Sequence, residues 1–142
     1  MSDVALFAGA TGRLTSALVR AVIAIAIAGA IGALARYGID GFISRRSRGA
    51  FPWGTFVVNI SGAFVLGLVF TLATEKWGLA PWLRSAITIG FLGAYTTFST
   101  LSFETYRLAE DRALGLAAAN MLGSCAAGLA AIYAGIVLAR AL

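Results

Sequence analysis

Histidine is absent from this 142-residue chain, and cysteine occurs once, at Cys125. The first absence removes the commonest general base at neutral pH and the commonest transition-metal ligand. The second excludes an intrachain disulfide, and Cys125, set inside an apolar run, reads as a small packing residue. The two prolines, Pro52 and Pro81, each open an apolar run. A proline in the first helical turn loses no intrahelical hydrogen bond. Charge is scarce, at 12% of residues against about 25% in soluble domains. No carboxylate stands at the middle of an apolar run, which argues against a proton-coupled cation exchanger, whose binding group must titrate inside the membrane. An enzyme is not expected.

What is present is apolar. The chain is 60% hydrophobic, with a mean hydropathy of +0.89 and a mass of 14.7 kDa. A soluble fold of that size has too little interior to hide so much apolar surface, so the chain reads as an all-α membrane protein. The net charge of +5 does not point to nucleic acid, because the basic residues lie between apolar runs, at headgroup level. Arg45, Arg46 and Arg48 form a membrane-surface cluster. No signal peptide is evident.

Four spans are expected. The first covers residues 20–36, with an uncharged part of only 15 residues, Ala21 to Ala35, where a hydrocarbon core of about 30 Å asks for roughly 20. Including Tyr37 to Ile39 lengthens it and places Arg36 inside the helix end, either snorkelling to the headgroups or marking a polar path. A loop over residues 40–50 follows. The second span covers residues 51–74, the third residues 81–107 and the fourth residues 113–139. Residues 1–18 read as an amphipathic or irregular lead-in to a membrane domain over residues 19–142. The termini then share a side with Arg13, Arg20, Lys76, Arg84 and Arg140, and the other side holds Arg36, Arg45, Arg46, Arg48, Arg107 and Arg112. Orientation follows a marked Lys/Arg excess; a near-even split permits insertion both ways, and with it an antiparallel homodimer. Small residues such as Gly29, Gly32, Gly62, Gly67 and Gly128 allow close helix approach.

The third span carries the chemistry. Gly90-Phe91-Leu92-Gly93-Ala94-Tyr95-Thr96-Thr97-Phe98-Ser99-Thr100 gathers hydroxyls where an apolar span has no use for them. A helix break is expected near residues 90–97, flanked by Gly90 and Gly93, because carbonyls freed inside lipid must find protein, water or an ion and broken helices build ion sites this way. The alternative is a glycine-kinked continuous helix whose threonines bond back to the preceding turn. Thr55 and Asn59, four apart, share a face of the second span. Asn59 is either interhelical glue, worth about 0.6–2 kcal/mol, or an N–H donor to an anion. Asn120 and Ser124 repeat the spacing in the fourth span, and these faces could line one path with Thr100 and Glu104. Glu104 is a mouth residue or a headgroup-level charge. Phe98 offers an electropositive ring edge to an anion or fills a packing gap.

These residues carry a resemblance. Gly32-Ala33-Leu34-Ala35-Arg36-Tyr37, Gly54-Thr55-Phe56-Val57-Val58-Asn59-Ile60-Ser61-Gly62, the third-span segment just quoted, and Asn120 with Ser124 together resemble the Fluc/CrcB family of small fluoride channels, over about residues 24–140. The resemblance implies antiparallel dual-topology homodimers in the bacterial inner membrane, each with two narrow fluoride pores that relieve fluoride toxicity. It implies a central sodium ion held by the Gly93 and Thr96 carbonyls. It also implies a pore lined by Asn59 and Phe98, a polar track of Ser99, Thr100, Glu104 and Ser124, and Arg36 near an aqueous vestibule. Thr55 joins the expected pore from its place beside Asn59. The sequence departs from the family pattern at Leu101, where a second pore phenylalanine is usual, and at Ala94, where glycine is usual. A small multidrug exporter would need a carboxylate in the first span, and Ala21 to Ala35 has none. A structural membrane subunit, with the break as a packing device, is the remaining alternative.

Overall fold

A computed structural model describes the backbone of residues 2–142 and the side chains of residues 15–142. Helix α1 is Ser2–Arg46. Helix α2 begins at Trp53–Thr71 and continues through a wide, π-type turn, Leu72–Lys76. Helix α3 (81–95) comprises Pro81–Ser85, a wide turn at Ala86–Leu92 and a last turn, Gly93–Tyr95. Helix α4 is Phe98–Glu110. Helix α5 (114–141) comprises Leu114–Ala118, a wide turn at Ala119–Gly123 and Ser124–Ala141. Among the described residues, four segments are long and apolar enough to cross a membrane: Thr15–Arg46, Trp53–Lys76, Pro81–Glu110 and Leu114–Ala141. The third of these is the broken one, with its break near the centre.

Helix α1 differs most from expectation. The loop expected from residue 40 is helical to Arg46, and the lead-in is helical from Ser2. At 1.5 Å per residue its 45 residues span about 68 Å, more than twice the hydrocarbon thickness. Arg36 therefore sits within a helix, ten residues before its end. Both prolines act as expected, with Pro81 in the first turn of α3 and Pro52 capping α2.

Helices α2 and α5 form the most extensive contact, and α1 packs on α3 and α2. Glycine makes both approaches possible. A Cβ at Gly67 would enter the Ile132 carbonyl, and one at Gly135 would enter the Phe64 carbonyl, so backbone lies on backbone where α2 crosses α5. A Cβ at Gly90 would stand 2.8 Å from the Ile25 carbonyl. Gly90 thus serves the approach of α1 to α3, and Gly93 is ordinary right-handed helix at φ −64°. Neither makes the break, contrary to the expectation that they flank it. The break lies at Thr96 and Thr97, both extended, at φ −80°, ψ 156° and φ −148°, ψ 117°. Ala94 is helical, so its methyl group meets no strain.

At the lower ends of α2 and α5, Arg140 pairs with Glu75 at 3.0 Å and Lys76 Nζ donates to the Arg140 carbonyl at 3.4 Å. Both contacts are exposed and lie between α2 and α5 on the side that carries the C-terminus.

Candidate functional site

Breaking a helix inside lipid leaves main-chain groups without partners, and each must be satisfied. In an unbroken helix the Thr97 N–H would close on the Gly93 carbonyl, and the Thr100 N–H on the Thr96 carbonyl. Both donors are diverted. Thr97 N–H donates to Asn59 Oδ1 at 2.7 Å, and Thr100 N–H donates to Thr97 Oγ1 at 3.2 Å, an N-cap of α4 by a threonine side chain. Asn59 Nδ2 also donates to the Thr97 carbonyl at 3.0 Å. Asn59 thus grips one residue of the break at both main-chain groups, and one of its two amide N–H bonds remains for another acceptor.

The helical side of the break is held from α1 and α2. Arg36 Nε donates to the Ala94 carbonyl at 3.2 Å, a cation at the carbonyl end of a helix, where the dipole favours it. Tyr95 is buried, stacks on Phe91 with centroids 5.9 Å apart and shares a 2.9 Å hydrogen bond with Ser61. Gly62 gives Tyr95 and Thr96 room, since a Cβ there would meet the Thr96 methyl. The carbonyls of Gly93 and Thr96 are left with their usual donors engaged elsewhere.

A groove of about 200 Å³ runs along the break, lined by Asn59, Thr96, Thr97, Phe98, Leu101, Ser124 and Cys125. Gly93 lines a second groove with Asn59, Thr96 and Gly62, so Asn59 and Thr96 border both. Phe98 is 71% exposed, a ring on the groove edge. Ser99 lies 3.3 Å from the Thr97 hydroxyl, and Thr100 Oγ1 accepts from Thr97 Oγ1 at 3.0 Å. Cys125, expected to be a packing residue, is exposed on the groove.

Toward the far end of α4, Thr55, only 1% exposed, donates to Glu104 Oε1 at 2.8 Å. Glu104 opens onto a cleft of about 290 Å³ with Arg107 and Asp111, a place that fits a mouth residue. Asn120, fully buried, donates to Thr105 Oγ1 at 2.9 Å and the Leu101 carbonyl at 3.4 Å. Among the described residues, three buried polar side-chain atoms have no protein partner: Glu104 Oε2, Asn120 Oδ1 and Ser124 Oγ. All three belong to α4 and α5. Buried polar atoms of this kind require water or an ion.

Of the sequence-predicted residues, the structure brings Asn59, Phe98, Ser124 and Thr96 to one groove and pairs Thr55 with Glu104. Ser99 and Thr100 cluster on Thr97 at the start of α4. Arg36 reaches the break from the α1 side and lines neither groove. Sequence reasoning missed the cap formed by Thr97, whose signal was a threonine immediately before the helix that starts at Phe98, and the Tyr95–Ser61 bond, for which no local signal exists.

This fold and site define a multi-pass membrane protein built around a broken helix whose polar track can accept a small ion. The family profile described as CrcB-like protein, Camphor Resistance (CrcB), matches residues 23–136, and the chain belongs to that family. It is 50% identical over 118 residues to a protein of Citrifermentans bemidjiense named fluoride-specific ion channel FluC, covering 83% of this chain and 95% of that one. A protein of the same name from Geotalea uraniireducens is 47% identical over 121 residues, covering 85% and 98%. Another, from Geobacter sulfurreducens, is 46% identical over 121 residues, covering 85% and 98%.

Proposed function

We propose that this chain is a passive fluoride-selective channel of the bacterial inner membrane that exports cytoplasmic fluoride. The observation that carries the reading is Ser124 Oγ, a buried polar atom with no protein partner among the described residues on the groove along the break, with two more such atoms, Glu104 Oε2 and Asn120 Oδ1, on α4 and α5, in a chain whose relatives bear that name. Fluoride is small and strongly hydrated, so its path must replace water with close donors. Ser124, Thr100, Ser99 and the remaining Asn59 N–H supply donors. The Phe98 ring edge adds a weaker electropositive contact. Thr55 and Glu104 continue the path toward the mouth, and Arg36 sets the break from its far side.

The reading includes an antiparallel homodimer and one sodium ion. The near-even charge split between the two membrane sides supports insertion both ways. The Gly93 and Thr96 carbonyls fit a hard cation, which takes oxygen ligands, because their helical donors are engaged elsewhere. Two subunits would supply four such oxygens. When bound, sodium would neutralise the carbonyl ends and hold the broken helices together.

The experiment is growth of a bacterium lacking its own fluoride exporter, in millimolar fluoride at mildly acidic pH. Hydrogen fluoride enters neutral and dissociates inside, and the channel lets the trapped anion leave. Expression of this chain restores growth, and Ser124→Ala weakens the rescue. No rescue by a chain shown to be folded in the membrane favours the structural-subunit reading.

A further inference from the structure

We propose that Asn59 acts on conduction chiefly as a positioning residue, holding the break open through the main chain of Thr97. This rests on the fluoride-channel reading. The geometry is a two-point clamp: Asn59 Oδ1 accepts from Thr97 N–H at 2.7 Å and Nδ2 donates to the Thr97 carbonyl at 3.0 Å. The first bond competes with helix closure, since Thr97 N–H is the donor that would otherwise close on the Gly93 carbonyl. Removing the clamp lets that donor return to Gly93. The carbonyl needed for a cation is then engaged, and the Thr96–Thr97 segment, which borders the first groove and through Thr96 the second, is drawn toward helix. The other ties, Arg36 to Ala94 and Ser61 to Tyr95, fall on the helical side of the break and do not hold Thr97. Asn59 is the side chain that spans from α2 to the extended residues themselves.

A clamp and a direct anion ligand predict different things. A ligand lost from the groove reduces flux and leaves the cation site unchanged. A lost clamp changes both. Thr96–Thr97 is the sole Thr–Thr pair in the chain, so protein labelled with carbonyl-13C and amide-15N threonine gives one carbonyl-to-amide correlation, that of the Thr97 N–H. The test compares wild-type dimers with Asn59→Leu and Asn59→Asp in micelles and proteoliposomes. Asp keeps an oxygen for the Thr97 N–H and loses the donor to its carbonyl.

Three readouts are taken: the Thr97 amide shift, the sodium concentration giving half of the sodium-dependent rise in melting temperature (choline as the inert cation), and fluoride efflux. Expected for Asn59→Leu are a moved Thr97 amide, a sodium half-point raised at least tenfold, and efflux reduced at least a hundredfold. Asn59→Asp keeps a side-chain acceptor on the Thr97 N–H, so that amide proton stays at or downfield of its wild-type position, and raises the sodium half-point less; it carries the test if the leucine variant fails to fold. Loss of efflux with the amide and the sodium half-point unmoved overturns the proposal in favour of a direct ligand. A wild-type protein that passes no fluoride overturns the channel reading instead, and the amide comparison still decides whether the clamp exists. A wild-type protein indifferent to sodium removes the cation part and leaves the amide shift to decide.

Discussion

Thr55→Val in α2 removes one hydroxyl and nearly nothing else. Thr55 is 1% exposed, and its hydroxyl donates to Glu104 Oε1 at 2.8 Å. The second Glu104 oxygen already lacks a protein partner, so the variant leaves the carboxyl group without any side-chain donor. In water-soluble proteins a hydrogen bond to a charged group contributes about 1.5–3 kcal/mol. Interhelical bonds in membranes average about 0.6 kcal/mol and reach about 1.7, because the unfolded chain in lipid also finds partners. Glu104 borders an open cleft, so water can replace part of what is lost, and the membrane range governs. The expected coupling, in a cycle of Thr55→Val, Glu104→Leu and the double variant, is about 1.5 kcal/mol, near the top of that range, since the donor is fully buried. The assay is denaturant unfolding in one detergent at one protein concentration, because the stability of the proposed dimer would depend on protomer concentration. Contacting residues show interaction energies above about 0.5 kcal/mol, whereas independent sites add. Additive single variants would show that the Thr55–Glu104 bond carries no energy.

Gly135→Ala, whose Cβ would enter the Phe64 carbonyl at the α2–α5 crossing, should destabilise the fold by about 1–3 kcal/mol, read by unfolding; a neutral result would mean the helices separate freely there. Gly115→Ala, exposed and with nothing within 4 Å of the added carbon, should be neutral or stabilising by up to about 1 kcal/mol in the same assay. Exposed Glu75 pairs with exposed Arg140, so Glu75→Gln should leave the melting temperature unchanged within error, and a clear drop would make that pair a structural tie. Leu101 borders the groove, and Leu101→Phe should fold and raise fluoride efflux by restoring a second ring edge; lower efflux from a folded variant would show that the leucine is required.

The four spans were legible because uncharged runs between charged turns leave few other folds. Their ends were less so: residues 40–46 carry Asp40, Arg45 and Arg46, which signal a surface, and the helix simply continues past it. The existence of a break was legible from its hydroxyls, and its place only to within residues 90–97. Glycine suggested residues 90–93, whereas Gly90 is spent on the approach of α1 and the chain extends two residues past Tyr95. That position is set by partners distant in sequence, Asn59 above all, and pairings across helices leave no local trace. Thr55 and Asn59 could be placed on one face by spacing, but only the fold shows that both reach the broken span, one to Glu104 and one to Thr97. Cys125 read as packing because one turn of an apolar helix looks the same on every face until its neighbours are known.

Anion efflux tests whether this broken helix conducts fluoride. Purified protein in liposomes is clamped with potassium and valinomycin in sodium-containing buffer, and ion-selective electrodes follow fluoride and chloride. Fast fluoride efflux with little chloride efflux is the predicted result. Equal efflux of both ions, or none of either from protein shown to be folded, would contradict it.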